Sequence, residues 1–262
     1  MKVPLLGTYQ TFNYLHKGAY GELPDFMKPV LKPLRQANQF CLDLIGTLLD
    51  IYRYEAGKQD LQLQQVNILP LLEDALKDVL PLAEEKGISL TIEPPPSLKE
   101  VEECSLEVRL DRTAFKRVIH NLLANAVSHT AKQGGVFCWM LTEDDLPMPY
   151  AHRVTGFEHT TLKRPVIIAD RVLVIIQDSG LGIEASTLGN LFKRFSTSKQ
   201  SRGPMNVGLG LYHSYKVVRS HGGMLWIETT EGLGTAVIMA LPRKYLTPEE
   251  HPLYYERREC QR

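Results

Sequence analysis

The sequence DRTAFKRVIHNLLANAVSHT, residues 111–130, predicts an amphipathic helix with two asparagines at its polar edge. Asp111 suits the N-cap position because its carboxylate can accept hydrogen bonds from the backbone N–H groups that open a helix. At about 100° per residue, one arc is apolar and a neighbouring stripe is polar. The apolar arc comprises Phe115, Val118, Ile119, Leu122 and Ala126, and the polar stripe comprises Arg117, Asn121, Asn125 and Ser128.

The two asparagines on this helix have two interpretations. Asn121 and Asn125 stand one turn apart, and Asn is a mediocre helix former, so the pair does little for the helix itself. Two amide oxygens at this spacing suit a hard cation such as Mg²⁺. Taken alone, the stretch favours two solvated side chains at the edge of a core helix, and the rest of the chain decides between the readings.

Composition excludes several classes of function. The 262 residues are 44% hydrophobic and 23% charged, enough to bury a core in one large or two smaller domains. Thirty basic and thirty acidic residues cancel, so no global field favours nucleic acid or an anionic membrane. No apolar run reaches the roughly 20 residues that span a bilayer, so we expect no membrane segment in this chain.

The four cysteines indicate a reducing compartment. No secretory signal opens the chain. The cysteines stand far apart and form no Cys-x-x-Cys pair: Cys41, Cys104, Cys138 and Cys260. Reduced thiols in a cytoplasmic protein are the simplest account, and the spacing argues against a zinc site.

The N-terminal quarter of the chain predicts a helical hairpin. Apolar residues recur at helical spacing over residues 4–15 and 25–54, with Gly18, Gly21 and Pro24 in the turn between them. The second arm carries more apolar surface than two helices can hide, which predicts self-association into a dimeric four-helix bundle. The alternative is that this surface packs against the remainder of the chain.

Beyond residue 60 the pattern alternates between strands and helices. Strands are predicted at 61–66, 88–92, 106–110, 136–141, 172–177, 224–229 and 235–241, the last two as an antiparallel pair. One helix is predicted from the N-cap Asn67 to about Lys86, closed by Gly87, and another over 207–220. Residues 142–165 are predicted to be irregular, with His152 and His159 as loop histidines rather than metal ligands.

Two glycine-containing segments suggest ligand contacts. In DSGLGI, residues 178–183, a carboxylate at a strand end can accept a hydrogen bond while the glycines allow a sharp turn. In GLGL, residues 208–211, glycines at a helix N-terminus leave backbone N–H groups and the positive end of the dipole outward, which suits phosphate. Residues 196–205 between them are polar and have the composition of a mobile lid.

Together these segments resemble a known series of motifs. They are NLLANA (121–126), DSGLGI (178–183), LFKRF (191–195), GLGL (208–211) and EGLGT (231–235). Their order and spacing resemble the N, G1, F, G2 and terminal glycine boxes of the histidine-kinase ATP-binding domain, in the GHKL ATPase superfamily. The resemblance spans roughly residues 62–242 and extends upstream, where the hairpin with RYEAG (53–57) looks like the dimerisation and phosphotransfer domain.

The resemblance implies an α+β fold, with the dimerising hairpin followed by an α/β sandwich. We expect the hairpin domain over residues 1–60, the ATP-binding domain over 61–243 and a tail over 244–262. It also implies that Asn125, with Asn121 beside it, holds Mg²⁺ against the triphosphate of ATP, and that Asp178 receives the adenine amino group.

The same matching gives roles to the remaining motif residues. Gly180 and Gly182 would shape the adenine end, and Thr235 would support it. Gly208 and Gly210 would wrap the phosphates. The F box and lid would contain Phe192, Arg194, Phe195 and Lys199.

The phosphoacceptor position departs from the family pattern. The family's accepting histidine begins an H box, and this chain opens with Met1-Lys2-Val3-Pro4-Leu5, which matches only the end of that box. The resemblance therefore places the acceptor upstream of Met1. His16 lies by the hairpin turn without an acid after it, and we interpret it as a helix-end histidine.

Three further departures lie in the motifs near the phosphates, and two of them replace a cation. Ser128 replaces a commonly basic residue, Thr197 stands where Arg often follows the F box, and Asn206 occupies a usual glycine position. Because phosphoryl transfer depends on cations that neutralise developing charge, these changes bear on catalysis more than on binding.

The resemblance implies one leading function and two alternatives. The leading one is a cytoplasmic, dimeric histidine-kinase core that passes the ATP γ-phosphoryl to a histidine and then to an Asp of a response regulator. A degenerate, ATP-responsive module for dimerisation or regulator docking is the second. An ATPase with a catalytic Glu in its N box is disfavoured, because residues 121 and 125 are amides.

Overall fold

The computed structural model describes residues 2–93, 106–141, 152–155, 158–160, 171–196 and 207–243. The chain divides into two units, Met1–Lys58 and Gln59–Arg262. The first unit is the predicted hairpin, in which α1 (Lys2–His16) packs against α2 (Lys28–Glu55). His16 is the last residue of α1, as the sequence predicted.

The hairpin leaves much of its apolar surface uncovered. Ile51 is the buried residue of α2. Large apolar side chains along both helices and the turn are instead exposed: Leu6, Tyr14, Tyr20, Phe26, Val30, Leu34, Leu48, Leu49 and Tyr52. The prediction that the hairpin has more apolar surface than two helices hide is therefore confirmed for the single chain.

The second unit combines two sheets with helices. Strands β1 (Leu63–Asn67) and β3 (Glu107–Asp111) form an antiparallel pair. The main sheet has the order β2-β4-β7-β9-β8-β5-β6, and only its β2–β4 pair is parallel among the pairings described. Its strands are β2 (Ser89–Glu93), β4 (Gly135–Leu141), β5 (His152–Thr155), β6 (Glu158–Thr160), β7 (Arg171–Asp178), β8 (Met224–Thr230) and β9 (Gly234–Pro242).

Four helices belong to this unit within the described residues. They are α3 (Ile68–Lys86), α4 (Arg112–His129), the short α5 (Ala185–Leu188) and α6 (Gly210–Ser220). Helix α4 lies between α3 and α6 and contacts β7, while α3 packs on β2 and α6 on β8. The predicted α+β architecture, a helical hairpin followed by an α/β sandwich, is confirmed.

Local sequence signals set the ends of α3 and α4. The Asn67 side chain accepts a hydrogen bond from the Leu69 N–H at 3.0 Å, and Gly87 closes α3 in the left-handed conformation. Asp111 caps α4 by accepting from the Ala114 N–H at 3.0 Å. All three caps were predicted, because each depends on a residue type at a fixed offset from the apolar pattern.

The prediction of an irregular segment over residues 142–165 is wrong in part. His152 begins β5 and His159 lies in β6, so neither is a loop histidine. Strand β5 pairs antiparallel with β8, and β6 pairs with β5. Strands of four and three residues carry too little periodicity to be recognised, and their partner is an edge that the local sequence does not reveal.

Within the described ranges, no helix is both long and apolar enough to cross a membrane.

Candidate functional site

One end of the candidate site is built around Asp178 at the end of β7. This side chain is 6% exposed, and its Oδ1 accepts a hydrogen bond from the Gly180 N–H at 2.9 Å. Burial raises the pKa of Asp178 from 3.8 to about 6, although the backbone N–H groups of Gly180 and Thr235 oppose the shift. A buried carboxylate with a raised pKa is a common mark of a functional position.

A threonine stands beside this carboxylate and contacts a second threonine. Thr235 is directly opposite Asp178 in the β7–β9 register, and its Oγ1 lies 3.0 Å from Thr229 Oγ1. The Thr229 hydroxyl donates to the Gly234 carbonyl at 2.9 Å and accepts from the Ile183 N–H at 3.0 Å. Since a hydroxyl has one proton, Thr235 must be the donor in the threonine pair. Lone pairs of Thr235 then remain for a ligand beside Asp178.

The turn after Asp178 depends on two glycines. Gly182 has φ +68°, and a Cβ there would overlap the Thr230 carbonyl. A Cβ at Gly180 would lie 2.7 Å from Asp178 Oδ1 and would also crowd the His129 carbonyl at the end of α4. The turn therefore lies closely between α4 and the β8–β9 connection, which larger residues would not allow.

The other end of the site joins α4 to the start of α6. Asn121 Nδ2 donates to Ser214 Oγ at 3.0 Å, and the Asn121 carboxamide occupies the space that a Cβ at Gly210 would need. Gly208 has φ +69° and packs against the Ser196 carbonyl at the end of the F box. The N-cap residue Leu209 offers no side-chain hydrogen bond, so the first N–H groups of α6 have no side-chain cap.

Asn125 lies between these two ends. Along α4 it is one turn, about 6 Å, from Asn121 and one turn from His129. Its side chain is half-buried and has no hydrogen-bond partner among the described residues. An amide oxygen held this way is available to a cation or to a ligand.

A cation in this region would depend on few protein ligands. Within the described parts of the chain, no three His, Cys, Asp or Glu side chains converge on a point that could hold a metal ion. The amide oxygen of Asn125 suits a hard cation whose remaining ligands are phosphate oxygens and water, the usual arrangement for Mg²⁺.

The F box packs on α6. Phe192 is buried, with its ring centroid 5.3 Å from that of Tyr215. Arg194 is exposed and places its guanidinium carbon 5.6 Å from the centre of the Tyr212 ring, near the first turn of α6. Phe195 is 59% exposed and has φ +62°, an uncommon backbone conformation for an aromatic residue.

The predicted site residues thus fall into two groups joined by α4. One group contains Asp178, Gly180, Gly182 and Thr235, and the other contains Asn121, Gly208, Gly210, Phe192, Arg194 and Phe195, with Asn125 between them. Lys199, Thr197 and Asn206 lie outside the described residues. Sequence reasoning missed Thr229 and Ser214; the position of Ser214 one turn after Gly210 on α6 is a signal that could have indicated it.

Known proteins share both the sequence pattern and the fold of this chain. The sequence profile of the family described as histidine kinase-, DNA gyrase B- and HSP90-like ATPases matches residues 110–245. The alginate biosynthesis sensor protein KinB of Pseudomonas aeruginosa is 26% identical over 92% of the chain and 35% of its own length. The non-motile and phage-resistance protein of Caulobacter vibrioides is 30% identical over 81% of the chain and 22% of its own length.

The chain spans about a third or less of the length of these relatives. Two solved structures share its fold. Full-length ShkA in complex with AMPPNP has a TM-score of 0.69 at 21% identity and covers 94% of this chain and 44% of its own. The Acinetobacter baumannii histidine kinase AdeS has a TM-score of 0.58 at 15% identity, and the match covers 92% of this chain and 95% of the AdeS chain.

The buried carboxylate leads to a prediction about stability. Because the pKa of folded Asp178 is raised to about 6, its contribution to stability is present below pH 3.8 and is lost as pH rises through about 6. One pKa unit corresponds to about 1.4 kcal/mol, so ionised Asp178 lowers the free energy of unfolding by up to about 3 kcal/mol. We expect Asp178→Asn to be more stable than wild type at pH 7.5, with a smaller difference at pH 5.

Urea denaturation of the nucleotide-free protein at both pH values measures this difference. The exposed residue Asp60 supplies the control, Asp60→Asn, which should change the free energy of unfolding by less than about 0.5 kcal/mol. A less stable Asp178→Asn variant at pH 7.5, or a difference independent of pH, would contradict the assignment of a strained buried charge.

Proposed function

Because the chain belongs to the family of histidine kinase-, DNA gyrase B- and HSP90-like ATPases, we propose that it is the ATP-binding core of a two-component sensor histidine kinase. The observation that carries this proposal is the position of α4, which borders both the Asp178 turn and the start of α6. A nucleotide lying along α4 would meet a hydrogen-bond acceptor at one end and backbone N–H donors at the other.

At the base end, Asp178 would accept a hydrogen bond from the adenine amino group. Thr235 would offer its oxygen beside it, since its proton is directed to Thr229. Gly180 and Gly182 would leave room above the turn for the base, because neither has a side chain. An ionised Asp178 is the stronger acceptor, so its proposed contact with the amino group weakens as pH falls below about 6.

At the phosphate end, Asn125 would hold Mg²⁺, which neutralises the triphosphate when bound. Asn121 is already engaged with Ser214, so its main role would be to place α6 rather than to bind metal. Gly208 and Gly210 would let the first N–H groups of α6 approach the phosphate oxygens, where the helix dipole is favourable.

ATP binding tests the two ends separately. We expect Asp178→Asn to weaken ATP affinity at least tenfold, about 1.4 kcal/mol, with or without Mg²⁺. Asn125→Ala should weaken it by a similar factor with Mg²⁺ and much less in EDTA, because its contact is with the metal. Isothermal titration calorimetry at pH 7.5 measures both constants.

His120→Ala provides a matched control for this titration, because His120 is an exposed residue on the same helix. Its affinity for ATP should equal that of wild type. If Asp178→Asn and Asn125→Ala also bind ATP as wild type does, the proposed site is wrong.

The reaction proposed for the complete protein is transfer of the ATP γ-phosphoryl to a histidine upstream of Met1 and then to an Asp of a response-regulator receiver domain, in the cytoplasm. Ser128 is exposed and uncharged, which leaves this part of α4 without the family's usual cation. Arg194 stands near the first turn of α6 and could supply positive charge there. The competing proposal, a module that binds ATP without transferring phosphate, is favoured by the missing cation at position 128.

Labelling separates these two functions. A chain extended upstream to include the H box is incubated with ATP labelled at the γ-phosphate. We expect acid-labile, base-stable label on wild type and His120→Ala and none on Asn125→Ala, followed by transfer to a receiver domain. An extended chain that binds ATP but never acquires label would establish the module without kinase activity.

We also propose that the chain forms a homodimer through the hairpin. Val30 and Leu34 are one turn apart on α2 and are 59% and 48% exposed in the single chain. Apolar surface of this kind is stabilised by a second copy of the same hairpin in a four-helix bundle. The argument depends on these exposed side chains and on the resemblance of the hairpin to a dimerisation domain.

Sedimentation velocity of the full chain tests the dimer. The mass of wild type from sedimentation should be twice that of one chain. The double variant Val30→Glu with Leu34→Glu should give a mass closer to that of one chain, because carboxylates cannot be buried unpaired in a bundle core. Lys32→Glu, at an exposed position between them, should remain dimeric. A monomeric wild type, or a dimer unaffected by both glutamates, contradicts the proposed interface.

A further inference from the structure

A buried histidine connects the far ends of α4 and α6. His221 follows the last residue of α6 and is 1% exposed. Its Nε2 accepts a hydrogen bond from the Asp111 backbone N–H at 3.1 Å, and its Nδ1 lies 2.7 Å from the Val217 carbonyl oxygen. The ring meets the Phe115 ring edge-on, with centroids 4.8 Å apart and planes at 90°. Both ring nitrogens therefore have hydrogen-bond partners, and the ring also packs against Phe115.

These contacts determine the protonation of the imidazole. A backbone N–H can only donate, so Nε2 must carry a lone pair and Nδ1 must carry the proton given to Val217. Burial lowers the pKa of His221, while the Val217 carbonyl and the Asp111 carboxylate oppose this effect. The ring is therefore neutral at pH 7 and held as a single tautomer, which makes it a directional link between two elements.

The partner of His221 is a junction of several elements. The Asp111 carboxylate caps α4 through the Ala114 N–H at 3.0 Å and also accepts from the Gln62 N–H at 3.2 Å. The backbone N–H of Asp111, at the end of β3, donates to His221. The end of α6 is thus attached to the position where β3 becomes α4.

Two hydrogen bonds at separate positions link α4 and α6. From Asn121 back to Asp111 α4 spans ten residues, about 15 Å, and from Ser214 to His221 α6 spans seven residues, about 10 Å. One link is the Asn121–Ser214 hydrogen bond beside Gly210, and the other is the Asp111–His221 hydrogen bond. The helices therefore run antiparallel and are fixed in register at two points.

We propose that His221 is a positioning residue of the nucleotide site, which holds α6 in register with α4 so that the turn at Gly208 and Gly210 faces Asn121 and Asn125. The inference rests on the proposed ATP site. It is specific to the phosphate end, because Asp178 and Thr235 belong to strands β7 and β9 and are held by the sheet. His221 would touch no ligand itself.

Three substitutions separate the contacts of the ring. Gln places an amide oxygen near the position of Nε2, so His221→Gln can still accept from the Asp111 N–H. The shorter Asn can reach the Val217 carbonyl but not Asp111. Phe keeps the ring and its contact with Phe115 while leaving the Asp111 N–H without its partner; the Val217 carbonyl still accepts from the Ser220 hydroxyl. Only the Gln variant preserves the link between the two helices.

Nucleotide affinities of the full chain provide the test. For His221→Asn and His221→Phe we expect ATP and ADP affinity to fall about tenfold, the effect of one lost hydrogen bond with its buried partner. Adenosine affinity, measured by NMR titration, should stay within twofold because the base end is unchanged. His221→Gln should restore ATP affinity to within about threefold of wild type. Measurements are made well below the melting temperature of each variant.

A merely structural histidine would give a different pattern. If ATP and adenosine affinity fall together in parallel with the melting temperature, or if Gln is no better than Asn, the positioning role is wrong. If His221→Phe does not fold, the comparison of Gln with Asn still decides the matter.

A double-mutant cycle with Ser214→Ala tests the second link. Ser214→Ala removes the Asn121 hydrogen bond without altering Asn121. If both links hold one rigid helix, the losses of ATP affinity in Ser214→Ala and His221→Asn should not be additive, although the sites lie over 10 Å apart along the helix. Additive losses overturn the proposal. A wild type that binds neither ATP nor adenosine would instead disprove the proposed function, so the two failures are distinguishable.

Discussion

Burial of the apolar face of α4 is the constraint on which both ends of the candidate site depend. Phe115, Val118, Ile119 and Leu122 are almost completely buried between α3, α6 and the sheet. Each such side chain contributes about 1.5–3 kcal/mol. The helix can therefore neither rotate nor slide without exposing apolar surface, and its polar edge is directed to one place. Asn121 and Asn125 owe their position to residues that never approach a ligand.

Polar contacts at the two ends of α4 complete this restraint. At its start, Asp111 caps the helix and receives α6 through His221. At its end, Lys86 donates to the Val127 and Ser128 carbonyl oxygens at 3.0 and 2.8 Å. A cation at the C-terminus of a helix satisfies carbonyls without an intrahelical partner and complements the dipole. Because Lys86 ends α3, packing of α3 and α4 also determines where the Asp178 turn meets the His129 carbonyl.

The features that the sequence predicted are the local ones. The caps Asn67, Gly87 and Asp111 act within three or four residues of their partners, and the apolar arc of α4 is a property of one segment. Strands β8 and β9 were paired correctly because a short glycine-containing turn joins them. For these elements, residue type and spacing contain the whole physical cause.

The features that the sequence did not predict depend on distant partners. The pairing of β1 with β3 and the addition of β5 and β6 to the edge of β8 are choices among possible neighbours. The Asn121–Ser214 hydrogen bond joins residues 93 positions apart and requires α6 to lie along α4. Sequence motifs predicted the residues of the candidate site, and only the packing of the helices showed that Asn121 is hydrogen-bonded to Ser214.

Three features of the site are left incompletely satisfied by folding. Asp178 is a buried carboxylate with a raised pKa, Asn125 has an amide without a described partner, and α6 starts without a side-chain cap. By contrast, α3 and α4 have side-chain caps. The unsatisfied groups correspond in order to a hydrogen-bond donor, a cation and an anion. A magnesium nucleotide has a donor on its base, a bound cation and an anionic phosphate chain in the same order. Its binding would therefore supply the interactions that the fold itself does not.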